Sequence, residues 1–150
     1  MNLLVALILL AGPSSAQMSD VRDLFARASE DVEANEQLLE MTSGYTLEYN
    51  PVMYAYRGAA EMTYANHIIW PVSKYNWFYD GKDKLQQAIV LEPKNVELRW
   101  IRYCIQRNCP TFLGYNEDLK KDKAYILDNL EKSGWSKAYQ KEVKDFILGN

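Results

Sequence analysis

GKDKLQQAIVLEPKN, residues 81–95, is the stretch on which the fold turns. Its small and large residues fall at helical intervals: Gly81, Leu85 four on, Ala88 three further, and Pro93 five beyond that. On a helix, residues three and four apart are neighbours, so the first three share a face. Gly81 brings no side chain, which lets a second helix approach. Leu85 fills the space between the two, and Ala88 is a second close contact. Pro93 cannot continue a helix, and Asn95 is well suited to cap the next one. The stretch reads as the second arm of one helical hairpin and the start of another.

Working outward, the periodicity predicts six helices in all. Ser19 caps the first, with Val21, Leu24, Phe25, Ala28 and Val32 inward and Arg22, Arg27, Glu30, Asp31 and Glu33 outward. It runs on to Met41 or breaks near Asn35, and Gly44 ends it. Asn50–Pro51 is a cap and first-turn proline for a second helix carrying Met53, Tyr56, Ala59, Ala60, Thr63 and Tyr64. The third covers about Lys74 to Leu91. The fourth follows Asn95, with Leu98, Ile101, Cys104 and Ile105 on one side, and Pro110 closes it. Asn116 opens a fifth, whose first turn holds Glu117 and Asp118, where negative charge is favoured. Ser136 caps a sixth, with Tyr139, Val143, Phe146 and Ile147 inward and Gly149 at its end. The β-friendly pieces Tyr45–Tyr49 and His67–Trp70 are too few for a sheet.

The spacing of Gly81, Leu85, Ala88 and Pro93 resembles the second half of a tetratricopeptide repeat. Tyr54 and Gly58 lie near that repeat's aromatic and small positions in the preceding helix. The connection from Ile68 to Lys74 is longer than the standard turn, and Arg99, beside Trp100, stands where a large apolar residue is usual. The resemblance covers 35 to 45 residues. It implies an all-α chain of antiparallel hairpins, stacked as a short α-solenoid of about three units whose concave face binds a peptide or partner protein. The segment ELRWIRYCIQRNCPTFLGY (97–115) also resembles uncharacterised exported helical proteins of the Bacteroidetes kind.

The N-terminus is set apart. Residues 3–11, LLVALILLA, are an apolar run of nine, followed by Gly12–Pro13 and the small residues Ser14 and Ala16. This is the pattern of a secretory signal peptide cleaved after Ala16, although no Lys or Arg precedes the run. The run is too short to span a bilayer, which takes about 20 residues. Residues 17–150 would then be one helical domain, located in the periplasm or secreted, with no membrane span. Export would permit a disulfide between Cys104 and Cys109. In one straight helix their Cα atoms would be roughly 8–9 Å apart, too far to bridge. Either a turn before Pro110 joins them or they are buried or half-buried free thiols.

The 150 residues are 48% hydrophobic and 25% charged, an ordinary globular balance for one domain. The net charge of −3 argues against a nucleic-acid binder, but it is unevenly spread. Residues 17–50 hold 8 acids and 2 bases, residues 51–110 hold 5 and 8, and residues 111–150 hold 7 of each. Arg57, Arg99, Arg102 and Arg107 can form a basic groove for an acidic or C-terminal group. Alternatively they pair with the acidic first helix, or with Glu61 and Glu97, and hold the stack together. Ten aromatic residues lie between Tyr45 and Tyr79. Trp77, Phe78 and Tyr79 are consecutive, so on a helix at least one meets solvent or a neighbouring segment.

These readings lead to a non-enzymatic protein- or peptide-binding module of the periplasm or envelope. Arg57, Arg99, Arg102, Tyr56 and Trp100 are the expected contact residues. The alternative is a structural protein whose copies associate through Trp77, Phe78 and Tyr79. A small hydrolase is a further option, but His67 is the only histidine, and no metal-binding or phosphate-loop motif accompanies it. No metal or cofactor is expected.

Overall fold

The computed structural model describes residues 12–149, and the apolar run of the expected leader lies outside them. The described residues are all-α, with seven α-helices and no strand. They are α1 (Ser15–Arg27), α2 (Val32–Thr42), α3 (Pro51–Tyr64), α4 (Pro71–Leu91), α5 (Val96–Asn108), α6 (Leu119–Asn129) and α7 (Lys137–Leu148). Short 3₁₀ turns follow α3, α5 and α6. Among the described residues no helix is long and apolar enough to cross a membrane.

The seventh helix comes from a break that the sequence hides. The chain leaves α1 at Ala28, and Asp31 accepts a hydrogen bond from the Ala34 amide at 3.1 Å to cap α2. Asp31 looked like one more charge on the outer face. Asn35, the expected break, lies inside α2 and is fully buried, its amide donating to the Ala28 carbonyl and to Thr63 Oγ1. Two helix starts also move. Ser14, not Ser19, caps α1, in a reciprocal box with Gln17. Pro71 opens α4, so that helix begins a turn earlier than Lys74. The expected domain start at Gln17 thus falls within the first turn of α1.

Three pairs of neighbouring helices run antiparallel at the contacts between them. Asn35 meets Thr63 while the Leu39 carbonyl meets Arg57, which reverses α2 against α3. Tyr64 meets Trp77 while Glu61 meets Lys84, which reverses α3 against α4. Gln106 meets Asp118 while Arg102 meets Asp122, which reverses α5 against α6. Helix α7 runs parallel to α5, because Trp100 bonds Tyr139 and Arg107 bonds the Phe146 carbonyl, both 39 residues on.

The crossing of α3 and α4 is a close one, as the small residue at Gly81 predicts. A methyl group on Gly81 would collide with the Gly58 carbonyl oxygen, and would come within 2.7 Å of Met62 Cγ and 2.8 Å of the Met62 amide. One on Gly58 would come within 2.5 Å of the Gly81 carbonyl oxygen. The two glycines face each other at the crossing of α3 and α4, with Leu85 and Ala88 completely buried beside them. The main core spans α1 to α5. A second core, of Trp100, Tyr103, Ile126, Leu130, Trp135, Val143 and Ile147, joins α5 to α6 and α7. Helix α5 is buried on both sides and separates them. Gly149, at φ 76°, closes α7 in the left-handed conformation that glycine adopts at no steric cost.

Candidate functional site

The expected arginine site is a structural ion pair. Arg99 and Arg102 lie three apart on α5 and turn toward α6, not toward an open concavity. Their common partner is Asp122, which is fully buried. Arg102 donates from Nε at 2.6 Å and Nη2 at 2.8 Å, and Arg99 from Nη1 at 2.9 Å. The remaining nitrogens are also engaged: Arg99 Nε and Nη2 donate to the Pro93 carbonyl, and Arg102 Nη1 lies 3.4 Å from Asp118. A buried charge is tolerated only when paired and hydrogen-bonded, and here every nitrogen of both forks is used. Burial alone would weaken the Arg102 charge, but its bonds to Asp122 and that carboxylate's charge raise its pKa above the ordinary value. Each guanidinium nitrogen is thus engaged with the protein itself, and the two arginines face α6 and its carboxylates, not an open groove.

Tyr56 likewise turns inward. It is fully buried, and its hydroxyl donates to Glu97 Oε1 at 2.5 Å. Glu97 gathers four such bonds. Arg22 of α1 donates from Nε at 2.9 Å and Nη2 at 2.6 Å, and the Trp135 indole donates at 2.6 Å. One α5 carboxylate therefore ties α1, α3 and the turn before α7. Burial opposes the charge on Arg22, yet the hydrogen bonds and charge of Glu97 hold its pKa above the usual value. The Tyr56 hydroxyl is pushed well up, first by burial and then by the charge of Glu97.

Trp100 alone of those five reaches a cavity wide enough for a partner. Between α1, α4, α5 and α7 runs a groove of about 1260 Å³. Its lining includes Trp100, Trp135 and Tyr139, with Arg22 laid over the Tyr139 ring at 4.5 Å. Met18 and Phe25 contribute from α1, and Tyr75, Phe78 and Tyr79 from α4. Phe112 and Phe146 line it as well, and both are exposed. Phe112 is 88% exposed and Tyr75 58%, which is far more than a core role requires. The lining's charges are balanced: Arg22 is held by Glu97, Asp23 by Arg27, and Lys74 and Glu142 are opposite in sign.

The other residues singled out are distributed. Arg57 bonds Glu61 and the Leu39 carbonyl, and Lys84 completes the pair, so the pairing reading holds for this arginine. Arg107 lies over the Phe146 ring at 4.4 Å. Trp77, Phe78 and Tyr79 fan out: Trp77 leans on Tyr64, Phe78 is buried against Tyr115, and Tyr79 sits with Tyr75 at the groove. They present no common face. Cys104 and Cys109 are free thiols lining the groove, each with its pKa raised by burial. His67 Nε2 donates to the Ala28 carbonyl at 2.8 Å and fastens the end of α1, while Glu61 faces Arg57 and Lys84 instead. Among the described residues no cluster of three or more His, Cys, Asp or Glu side chains is placed to hold a metal ion.

Sequence reasoning missed Arg22, Tyr75, Phe112, Trp135, Tyr139 and Phe146 as site residues. The only signal of the five rings was aromatic character, which 19 residues share, and Arg22 read as one more charge on an outer helix face. Comparison with protein-family models, with curated proteins and with solved structures returned no match.

Proposed function

We propose that the chain is a non-catalytic binding module that holds an apolar segment of a protein or peptide partner in the aromatic groove. The observation that carries this reading is the groove itself: about 1260 Å³, ringed by aromatic side chains, two of them strongly exposed. Exposed apolar surface at a concavity marks an interaction site more often than isolated exposed residues do. Its balanced charges favour a neutral segment over the acidic terminus expected from the arginines. The glycine crossing of α3 and α4 and the parallel α5 and α7 support a short tetratricopeptide-like stack. The apolar run at 3–11 supports export to the periplasm or envelope.

A second reading has its own observation. Ile69, Trp70 and Val72 are 90%, 76% and 75% exposed on either side of Pro71, which lines the groove, and this favours self-association through that segment. The test is fluorescence anisotropy with a labelled, neutral, amphipathic 14-residue peptide rich in Leu and Phe. Saturable binding that weakens at least tenfold in Phe112→Ala and Tyr75→Ala, but not in Leu91→Ala outside the groove, supports the binding module. No saturation, or equal loss in all three, defeats it. A concentration-dependent dimer in light scattering, dispersed by Trp70→Ala, favours the second reading.

A further inference from the structure

On the side of the α3–α4 hairpin lies a smaller cleft of about 330 Å³, lined by Arg57, Glu61, Ser73, Asn76, Trp77 and Asp80. Ser73, Asn76, Trp77 and Asp80 are spaced three, one and three apart, which places them on one face of α4. Arg57 and Glu61, four apart on α3, face them across the cleft. The floor is fixed. Glu61 is buried, and its two oxygens accept from Arg57 Nε at 3.0 Å and Lys84 Nζ at 2.9 Å. The Leu39 carbonyl accepts from Arg57 Nη1 at 2.7 Å, so the guanidinium is clamped on two sides. Its Nη2 is left over.

The walls are uncommitted. Among the described residues, the side chains of Ser73, Asn76 and Asp80 and the Trp77 indole N–H make no hydrogen bond to protein. Asp80 forms no ion pair either. The cleft therefore offers donors from Arg57 and Trp77, acceptors from Asp80, and groups of both kinds from Asn76 and Ser73. Its charges cancel: Arg57 and Lys84 against Glu61 and Asp80. The indole is half-buried against Tyr64, with ring centroids 4.7 Å apart, and it gives the polar ring an apolar edge.

A phosphate would meet Asp80 and Glu61, and an ammonium ion would meet Arg57 and Lys84. A neutral molecule with several hydroxyls suits every group. Each hydroxyl both donates and accepts, and its C–H face suits an indole. We propose that this cleft is a saccharide-binding site, of a size for one sugar residue at the small end of ligand pockets. It is separate from the aromatic groove and does not depend on what that groove holds.

The test is NMR on ¹⁵N-labelled protein, reading the Trp77 indole N–H signal, assigned by Trp77→Phe. The probes are glucose, N-acetylglucosamine, inorganic phosphate and tetramethylammonium. A saturable shift with either sugar, weakened at least tenfold in Asn76→Ala and Asp80→Ala, is expected. Both positions are exposed on α4, so both variants should keep the wild-type thermal midpoint and helical circular dichroism. If either does not, Ser73→Ala serves in its place. No saturable shift with either sugar, the same affinity in the variants, or a response to phosphate or tetramethylammonium alone overturns the proposal.

Discussion

Replacing Arg102 with alanine tests the structural account of the arginines in the most quantitative way. The change removes two of the three hydrogen bonds to the Asp122 carboxylate, at 2.6 and 2.8 Å, and the 3.4 Å contact with Asp118. Asp122 is 0% exposed and keeps only Arg99 Nη1 at 2.9 Å. Each hydrogen bond to a charged group contributes about 1.5–3 kcal/mol. Breaking a buried ion pair from one side costs about 3–5 kcal/mol. The two estimates overlap near ~4 kcal/mol. For a chain of this size, at about 3 °C per kcal/mol, that lowers the melting temperature by ~12 °C. It would consume a large part of the ~5–15 kcal/mol that holds a domain folded. Urea denaturation followed by circular dichroism gives the free energy directly. Arg27→Ala, which removes an exposed pair with Asp23 and Asp31, is the control and should leave the midpoint unchanged. A loss under ~1 kcal/mol for Arg102→Ala, or peptide binding abolished in a variant of wild-type stability, would refute the reasoning and return Arg102 to the ligand site.

Other outcomes follow from the same packing. Gly81→Ala should lose ~2 kcal/mol: about 3 kcal/mol of overpacking against the Gly58 and Met62 backbone, less about 1 kcal/mol of gained helix propensity. A calorimetric scan reads it, and a more stable variant would deny the close crossing. Tyr56, Tyr115 and Tyr139 all have raised pKa values, first through burial, so the folded state keeps protons that the unfolded chain releases near pH 10. Stability should therefore be flat to about pH 8 and fall above pH 10, where the unfolded state binds fewer protons. Urea midpoints from pH 7 to 11 check this, and a midpoint that rises with pH contradicts it. A chain beginning at Gln17 lacks the Ser14 cap and should be ~1 kcal/mol less stable than one beginning at Gly12. Hydrogen exchange should place that loss in the first turn of α1.

What the sequence revealed depended on range. Gly81, Leu85, Ala88 and Pro93 were legible because a close helix crossing needs a small residue at a fixed interval from the turn, and that pattern is local. The Arg57–Glu61 pair was legible for the same reason, being one helical turn apart. Asp122 was not, because it lies 20 residues from Arg102 and becomes its partner only once α5 and α6 fold back on each other. Asp31 was missed because a capping aspartate and a surface aspartate look alike within a run of charges. The groove could not be read at all. Its lining comes from α1, α4, α5, α7 and the turn at Phe112, and no interval in the chain relates them. The band of aromatic residues at 45–79 pointed to the right neighbourhood, but it did not separate Phe78, a core residue at the groove's floor, from Tyr75, which lines it while exposed.

The central claim is that contacts form in the aromatic groove and that the arginines hold the stack. Chemical-shift mapping with the neutral amphipathic peptide tests it most directly. The account predicts saturable shifts at Tyr75, Tyr79, Trp100, Phe112, Trp135 and Tyr139, with the Nε–H signals of Arg99 and Arg102 unmoved. Shifts centred on Arg99 and Arg102, with the groove residues silent, would contradict it.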